Sequence, residues 1–239
     1  MMRTFDRPIA MFLRYLFGGG DYPVRITLST PIGPIAVTLY SAHDLLTVNE
    51  VFCRLDYSAP QSAEFIADFG SNIGISALYF LTRNTHVHVY LFEPLPINIE
   101  RLRLNLSGFE GRYEIFPYAV GIVDGTVPFG CESTGRYGGI GLTREEQITV
   151  PCRRSNTVID DLLSRHGRLD VLKVDIESLE KEIVFALSER AQRIDTIFVE
   201  NRFEKNPLPA THSYRQYGSV AQFRRRRAST SANRQPSSL

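Results

Sequence analysis

Hydrophobic and polar positions fall into two rhythms along the chain. Residues 24–40 (VRITLSTPIGPIAVTLY) hold two β-rich runs around a Pro/Gly turn, which predicts a hairpin. Over residues 43–55, Leu45, Val48, Phe52 and Leu55 recur at helical spacing, which predicts a helix. From residue 64 onward, apolar runs alternate with amphipathic ones. The apolar runs 64–68, 87–92, 113–117, 169–174 and 194–200 predict strands, and a further strand is expected at 147–152. Segments 73–83, 94–107, 157–166 and 179–189 predict helices. The second of these is well marked, with Pro94 at its start and Leu95, Ile99, Leu102 and Leu106 forming one stripe. Strands that are apolar almost throughout, separated by amphipathic helices, predict a mostly parallel sheet covered on both faces. The expected organisation is a hairpin-and-helix cap over 1–57, an α/β domain over 58–223, and a tail over 224–239.

Composition narrows this picture without changing it. The chain has 239 residues, 43% hydrophobic and 22% charged, which fits one large soluble domain with a full core. No apolar run is long enough to span a membrane, so no stable insertion is expected. Residues 8–17 (PIAMFLRYLF) are too short, carry Arg14 inside, and are expected to pack onto the body. Cys53, Cys131 and Cys152 show no C-x-x-C spacing, which points to free thiols in a reducing, cytoplasmic compartment and to no metal knuckle. Of the 27 basic residues, five arginines lie in 224–239, where there is no acid. That segment reads as a disordered, solvated tail, and the acidic remainder argues against a nucleic-acid partner. The oligomeric state is left open.

In sheets of this kind ligands bind beyond the carboxyl ends of the strands, so the chemistry should lie there. The first domain strand runs into Asp68-Phe69-Gly70-Ser71-Asn72-Ile73-Gly74 and then into a helix. A glycine turn at a helix start lets a ligand approach the backbone closely. The dinucleotide pattern G-x-G-x-x-G is absent, because position 72 is Asn. Asp68 would repel a pyrophosphate but suits a ligand carrying an ammonium and a sulfonium, as S-adenosyl-L-methionine does. Glu93, one strand later, is placed to accept hydrogen bonds from ribose hydroxyls. Asp175, Glu177 and Glu180 follow the strand at 169–174, and Glu200 closes the next one. Carboxylates so placed can supply a general base, a metal ligand or an acceptor clamp, although the two glutamates of the first group also suit a helix start. Tyr137, within the glycine-rich 135–141, is a candidate to stack on a sugar.

Residues 66–74 (IADFGSNIG), 91–106 (LFEPLPINIERLRLNL), 118–121 (YAVG) and 172–180 (LKVDIESLE) resemble the successive motifs of FkbM-type S-adenosylmethionine-dependent methyltransferases. The resemblance runs over roughly 40–220. It implies a class I methyltransferase (Rossmann-like) fold with seven strands, the last, at about 214–223, inserted antiparallel. It also implies O-methylation of a small molecule or oligosaccharide, often at a sugar or polyketide hydroxyl. Carried onto this sequence, it places the cofactor at Asp68, Gly70, Ser71, Asn72, Gly74, Glu93 and Ala119. The acceptor falls near Glu177, Glu180 and Tyr137. The sequence departs from the family at Ser178, where glycine is usual, and at Asn201-Arg202, where E-x-H is often seen after the strand-end Glu.

Removing a proton from a sugar hydroxyl calls for a base. Asp175 is the first candidate, followed by His212, the nearest later histidine, and Glu200. Two rival readings remain: a nicotinamide-dependent oxidoreductase on the same framework, and a nucleotide-sensing or nucleic-acid-binding module using the arginine run. The first sits poorly with Asp68 and Asn72. The second leaves the strand-end carboxylates without a task.

Overall fold

The computed structural model describes residues 4–17 and 20–226. It opens with α1 (Pro8–Phe17) and the hairpin β1 (Val24–Thr30) and β2 (Gly33–Leu39), paired antiparallel as expected. Next comes α2 (Ala42–Val48), capped reciprocally by Ser41 and Asp44. The expected continuous helix over 43–55 instead widens at Asn49 into a π-helical turn through Arg54. It ends at Leu55, which takes a left-handed conformation with φ 61°. This wider turn brings Glu50 and Val51 to the edge of the cleft described below.

The domain proper follows as β3 (Phe65–Phe69), α3 (Ile75–Leu81), β4 (His88–Phe92), α4 (Pro96–Asn105) and β5 (Tyr113–Phe116). A segment of four strands then intervenes: β6 (Ala119–Gly121), β7 (Gly125–Cys131), β8 (Gly138–Ile140) and β9 (Glu146–Arg154). The chain returns through α5 (Ser155–His166), β10 (Leu169–Val174), α6 (Glu180–Ala186), a 3-10 turn (Ser188–Arg193) and β11 (Ile194–Glu200). It finishes with β12 (His212–Tyr217) and β13 (Val220–Arg225).

The main sheet has seven strands in the order β12-β13-β11-β10-β3-β4-β5. The strands from β5 to β11 are parallel, and β13 runs against both β11 and β12. This is the doubly wound class I methyltransferase topology, with one reversed strand inserted near the edge. One expectation needs correcting. The single last strand placed at 214–223 is a two-stranded hairpin turning at Gly218. Its alternating polar residues hide the break, because β12 is an edge strand half open to water. β13 extends through Arg224 and Arg225, and Arg225 pairs with Asp195 at 2.6 Å. Those two arginines, assigned to the tail from sequence, therefore belong to the sheet, and residues from 227 on lie outside the described part.

Strand alternation divides the core. Ile66, Val89, Leu91, Val171 and Phe198 face α3 and the N-terminal hairpin and helices, with Leu28, Leu39, Leu45 and Val48 buried among them. Ala67, Phe69, Phe92, Leu172, Val174 and Ile197 face the opposite layer, where α5 and α6 contribute Val158, Ile159, Leu162, Ile183 and Val184. β6, β7, β8 and β9 form a second sheet, of which only the β9 region was legible beforehand. On α1, Met11 packs onto the core while Ile9, Phe12, Leu13 and Leu16 remain exposed, so the expected docking involves one side of the helix only. Among the described residues, no helix is long and apolar enough to cross a membrane. All three cysteines are free.

Candidate functional site

A cleft of about 210 Å³ opens beyond the carboxyl ends of β3, β4, β10 and β11. Its floor is the turn after β3. Gly70 adopts φ 81°, and a Cβ there would stand 1.8 Å from the Asp175 carbonyl oxygen, so only glycine lets the turn pass beneath β10. The amides of Gly70 and Ser71 both donate to the Phe92 carbonyl, at 3.0 and 3.1 Å. The Ser71 hydroxyl donates to the Asp68 carbonyl at 2.8 Å and accepts from the Phe92 amide at 3.1 Å. Asn72 is left-handed at φ 47°; its amide donates to Glu93 Oε2 at 2.9 Å, and its side chain donates to the Arg136 carbonyl at 2.9 Å. Gly70, Ser71, Asn72, Glu93 and Ala119 all line the cleft as expected.

Gly74 does not line it. Its φ of 89° starts α3, and its bare α-carbon accommodates Leu102. Asp68, expected to face the ligand, is also displaced: it is fully buried behind the turn, accepting from Ser76 Oγ at 2.6 Å. The cause is Lys173, which the sequence reading did not assign. β10 pairs Lys173 beside Asp68, placing its ammonium 3.0 Å from Asp68, 3.2 Å from Asp175 Oδ2 and 3.0 Å from the Gly70 carbonyl. Burial opposes the charge on Lys173, but Asp175 and Asp68 outweigh it and hold its pKa above the usual lysine value. A lone lysine inside the apolar run LDVLKV was the available signal.

Glu93 is 5% exposed, and burial pushes it up to about 7 against hydrogen bonds from Leu95, Asn98 and Asn72. Beside it, the buried Asn98 Oδ1 has no donor among the described residues, an acceptor left over in the cleft wall. The Asn98 side-chain nitrogen donates at 2.7 Å to the carbonyl of Gly135, which brings the 132–137 loop over α4. That loop carries Arg136 and Tyr137 into the cleft, the guanidinium lying 4.0 Å from the Tyr137 ring centre.

The opposite wall is acidic. Asp175, Glu177, Glu200 and Glu50 line it. Glu177 is left-handed at φ 67°; partial burial of its carboxyl at the cleft rim and the Asp175 charge both raise its pKa. Ser178 follows it with a buried hydroxyl that lacks a partner. Glu180, expected at the acceptor, lies outside the cleft: its Oε1 accepts from the Ile176 amide at 3.1 Å and fixes the turn instead. Tyr57, also unassigned from sequence, is 5% exposed and donates towards Asp175 Oδ2 at 3.3 Å and Glu200 Oε2 at 3.2 Å. The Asp175 charge, and then burial, push Glu200 up to about 8.

His212 is not brought to the site. It starts β12 at the far end of the sheet, fully buried, with Nε2 3.0 Å from the Ile194 carbonyl and Nδ1 2.8 Å from Thr211 Oγ1. Burial lowers its pKa, so it packs as a neutral structural group. It was a candidate as the nearest histidine after Glu200, but β12 begins at the end of the sheet opposite the cleft. No group of three or more His, Cys, Asp or Glu side chains is arranged to hold a metal among the described residues.

A glycine turn after the first strand, a buried acid after the second and an acidic rim after the fourth and fifth define a methyltransferase-type α/β protein. The Methyltransferase FkbM domain matches residues 68–225, and the chain belongs to that family. Among characterised relatives it is 26% identical over 161 residues to the hexuronic acid methyltransferase AglP of Haloferax volcanii, covering 66% of this chain and 64% of that one. It is also 26% identical to part of the AMB antimetabolite synthetase AmbE of Pseudomonas aeruginosa, covering 60% of this chain but 8% of the larger protein. The chain thus spans less than two thirds of either relative. Among solved structures, a methyltransferase from Geobacter sulfurreducens overlaps 75% of this chain and 78% of its own at 13% identity, with a TM-score of 0.44. A putative caffeoyl-CoA O-methyltransferase from Staphylococcus aureus overlaps 74% and 81% at 11% identity, with a TM-score of 0.41.

Proposed function

We propose that the chain is an S-adenosyl-L-methionine-dependent O-methyltransferase acting on a sugar hydroxyl. The observation that carries this reading is the division of the cleft. A buried carboxylate at Glu93 and a leftover acceptor at Asn98 stand on one side, and four carboxylates line the other. Glu93 suits paired ribose hydroxyls, Asn98 Oδ1 suits an amino or hydroxyl donor, and Phe92, Ala119 and Val120 offer an apolar wall to a flat base. The acidic side suits a ligand bearing a sulfonium and an ammonium. A pyrophosphate would meet that charge unfavourably, which disfavours the nicotinamide alternative. The residues present therefore fit the cofactor.

When bound, this cofactor supplies an electrophilic methyl group. The chain's own task is to hold the acceptor oxygen in line and to remove its proton. Tyr137 and Arg136 offer a platform for the sugar, and Glu177 orients its hydroxyls. The pair Asp175 and Glu200 receives the proton. The name of the Haloferax relative supports a sugar-type acceptor. A narrower acceptor, the fucose 2-hydroxyl of lipochitooligosaccharide nodulation factors, follows from the overall likeness of the chain to the rhizobial enzymes that methylate that position. Mass spectrometry with methyl-labelled cofactor would test both levels, using fucosylated, unfucosylated and uronate-bearing oligosaccharides. Label at fucose O-2 supports the narrow acceptor, and label on another sugar oxygen replaces it. Label on none of them, where the cofactor binds, removes the sugar reading.

A further inference from the structure

The strand-end carboxylates are bridged by a side chain from outside the Rossmann-like body. Tyr57 follows the π-helical turn, its ring edge-on to Phe198 at 5.9 Å and 5.3 Å from the Lys173 ammonium. Its hydroxyl lies within reach of Asp175 Oδ2 and Glu200 Oε2. A phenol has one proton to give, so it cannot donate to both carboxylates at once.

The two acids are not equivalent. Asp175 Oδ2 receives the ammonium of Lys173, itself fixed by Asp68 and the Gly70 carbonyl. Its charge is committed to a buried ion pair. Among the described residues Glu200 receives only hydroxyls, Tyr57 on Oε2 and Ser219 on Oε1 at 3.3 Å, and it borders the cleft.

We propose that Tyr57 is a positioning residue for methyl transfer, its hydroxyl tying Glu200 to the ion-paired Asp175 and presenting Glu200 as the member that deprotonates the acceptor. The inference rests on the methyltransferase reading above. In the step itself, the acceptor O–H bond breaks as its proton passes to Glu200. The O–CH3 bond forms and the S–CH3 bond breaks, its electron pair staying on sulfur. The products are a methyl ether, a neutral thioether and the Glu200 acid, which returns its proton to water. Glu200 must lose its own proton before it can act, so the rate rises with pH.

The groups facing the pair decide how far. Lys173 on β10 favours ionisation, as does the Tyr57 hydroxyl from the cap side. Glu50 from the π-helical turn acts on Tyr57, and Glu177 lies beyond Asp175 on the same rim. Arg136, from the loop over the cleft, acts on both Glu50 and Glu177. Loss of the Tyr57 hydroxyl leaves the Glu200 carboxylate less stabilised, so its proton is held more tightly.

Infrared difference titration of the full chain reads this without an acceptor. Besides the bands of Glu93 and Glu177, which titrate near 7, wild type should show a protonated-carboxyl band that disappears near pH 8 and is missing from the Glu200→Gln difference spectrum. In Tyr57→Phe, which keeps the ring packing, the band should persist to about one pH unit higher, the effect of one hydrogen bond to a charged group. An unchanged pH 8 midpoint in Tyr57→Phe, or a pH 8 component that survives Glu200→Gln, overturns the proposal. Calorimetry with S-adenosylmethionine on the same proteins keeps the two readings apart. Absence of cofactor binding defeats the methyltransferase reading, whereas the infrared midpoints decide the role of Tyr57.

Discussion

Replacing Lys173 with methionine removes the charge at the centre of the site while keeping an unbranched chain of similar length. Asp68 is fully buried, and among the described residues its only cation is the Lys173 ammonium at 3.0 Å. Losing one partner of a buried pair leaves a charge with no compensation, a loss of about 3–5 kcal/mol. Asp175 is partly open to water, so the penalty falls mainly on Asp68. At this chain length each kcal/mol moves Tm by about 2–4 °C, giving a drop of about 6–20 °C. The pH dependence has a definite sign. Burial raises Asp68 above the ordinary aspartate value, with Lys173 and Ser76 opposing, so removal of the lysine raises it further. An acid whose folded pKa exceeds its unfolded one favours folding as pH falls, so the deficit should be largest at alkaline pH and shrink on acidification. Urea unfolding followed by circular dichroism at several pH values reads this directly. Adding Asp68→Asn to the variant should restore part of the loss, because no buried charge then remains. A loss under about 1 kcal/mol, or one that grows on acidification, would refute the ion-pair account.

Two further substitutions address the base. Asp175→Asn should retain fold and cofactor binding but shift the rising limb of the pH–rate profile to lower pH, since the Asp175 charge is the main cause raising Glu200. A profile that stays in place would detach Glu200 from the reaction. His212→Ala should lower stability by about 1–3 kcal/mol through the unpaired Ile194 carbonyl, as thermal melting would register, with the pH–rate profile unchanged. A loss of turnover without a loss of stability would return the role to the histidine.

Sequence patterning revealed the parallel strands because they are buried on both faces and read as apolar runs. β10 is buried along all six residues. It failed at the sheet edge, where β12 alternates buried and exposed positions and passes for loop or continued strand. The second sheet escaped notice for a similar reason, since β6 and β8 have three residues each and glycines within them. Within the site, backbone-determined features were legible: the glycine turn and the acid after the second strand. Partnerships were not. Asp68 looked like a ligand-facing carboxylate because its partner lies 105 positions away across a strand register. Tyr57 was invisible, because nothing local in NEVFCRLDY indicates that the π-helical turn aims its phenol at two strand ends.

The central claim is that this cleft takes S-adenosylmethionine, held in part by Glu93. Parallel calorimetric titrations with S-adenosylmethionine and NAD, on wild type and on Glu93→Ala, test it most directly. The account predicts saturable binding of S-adenosylmethionine, none of NAD, and a loss of about 1.5–3 kcal/mol in the variant as hydrogen bonds to the ribose disappear. Binding of NAD in place of S-adenosylmethionine, or equal affinity in Glu93→Ala and wild type, would contradict it.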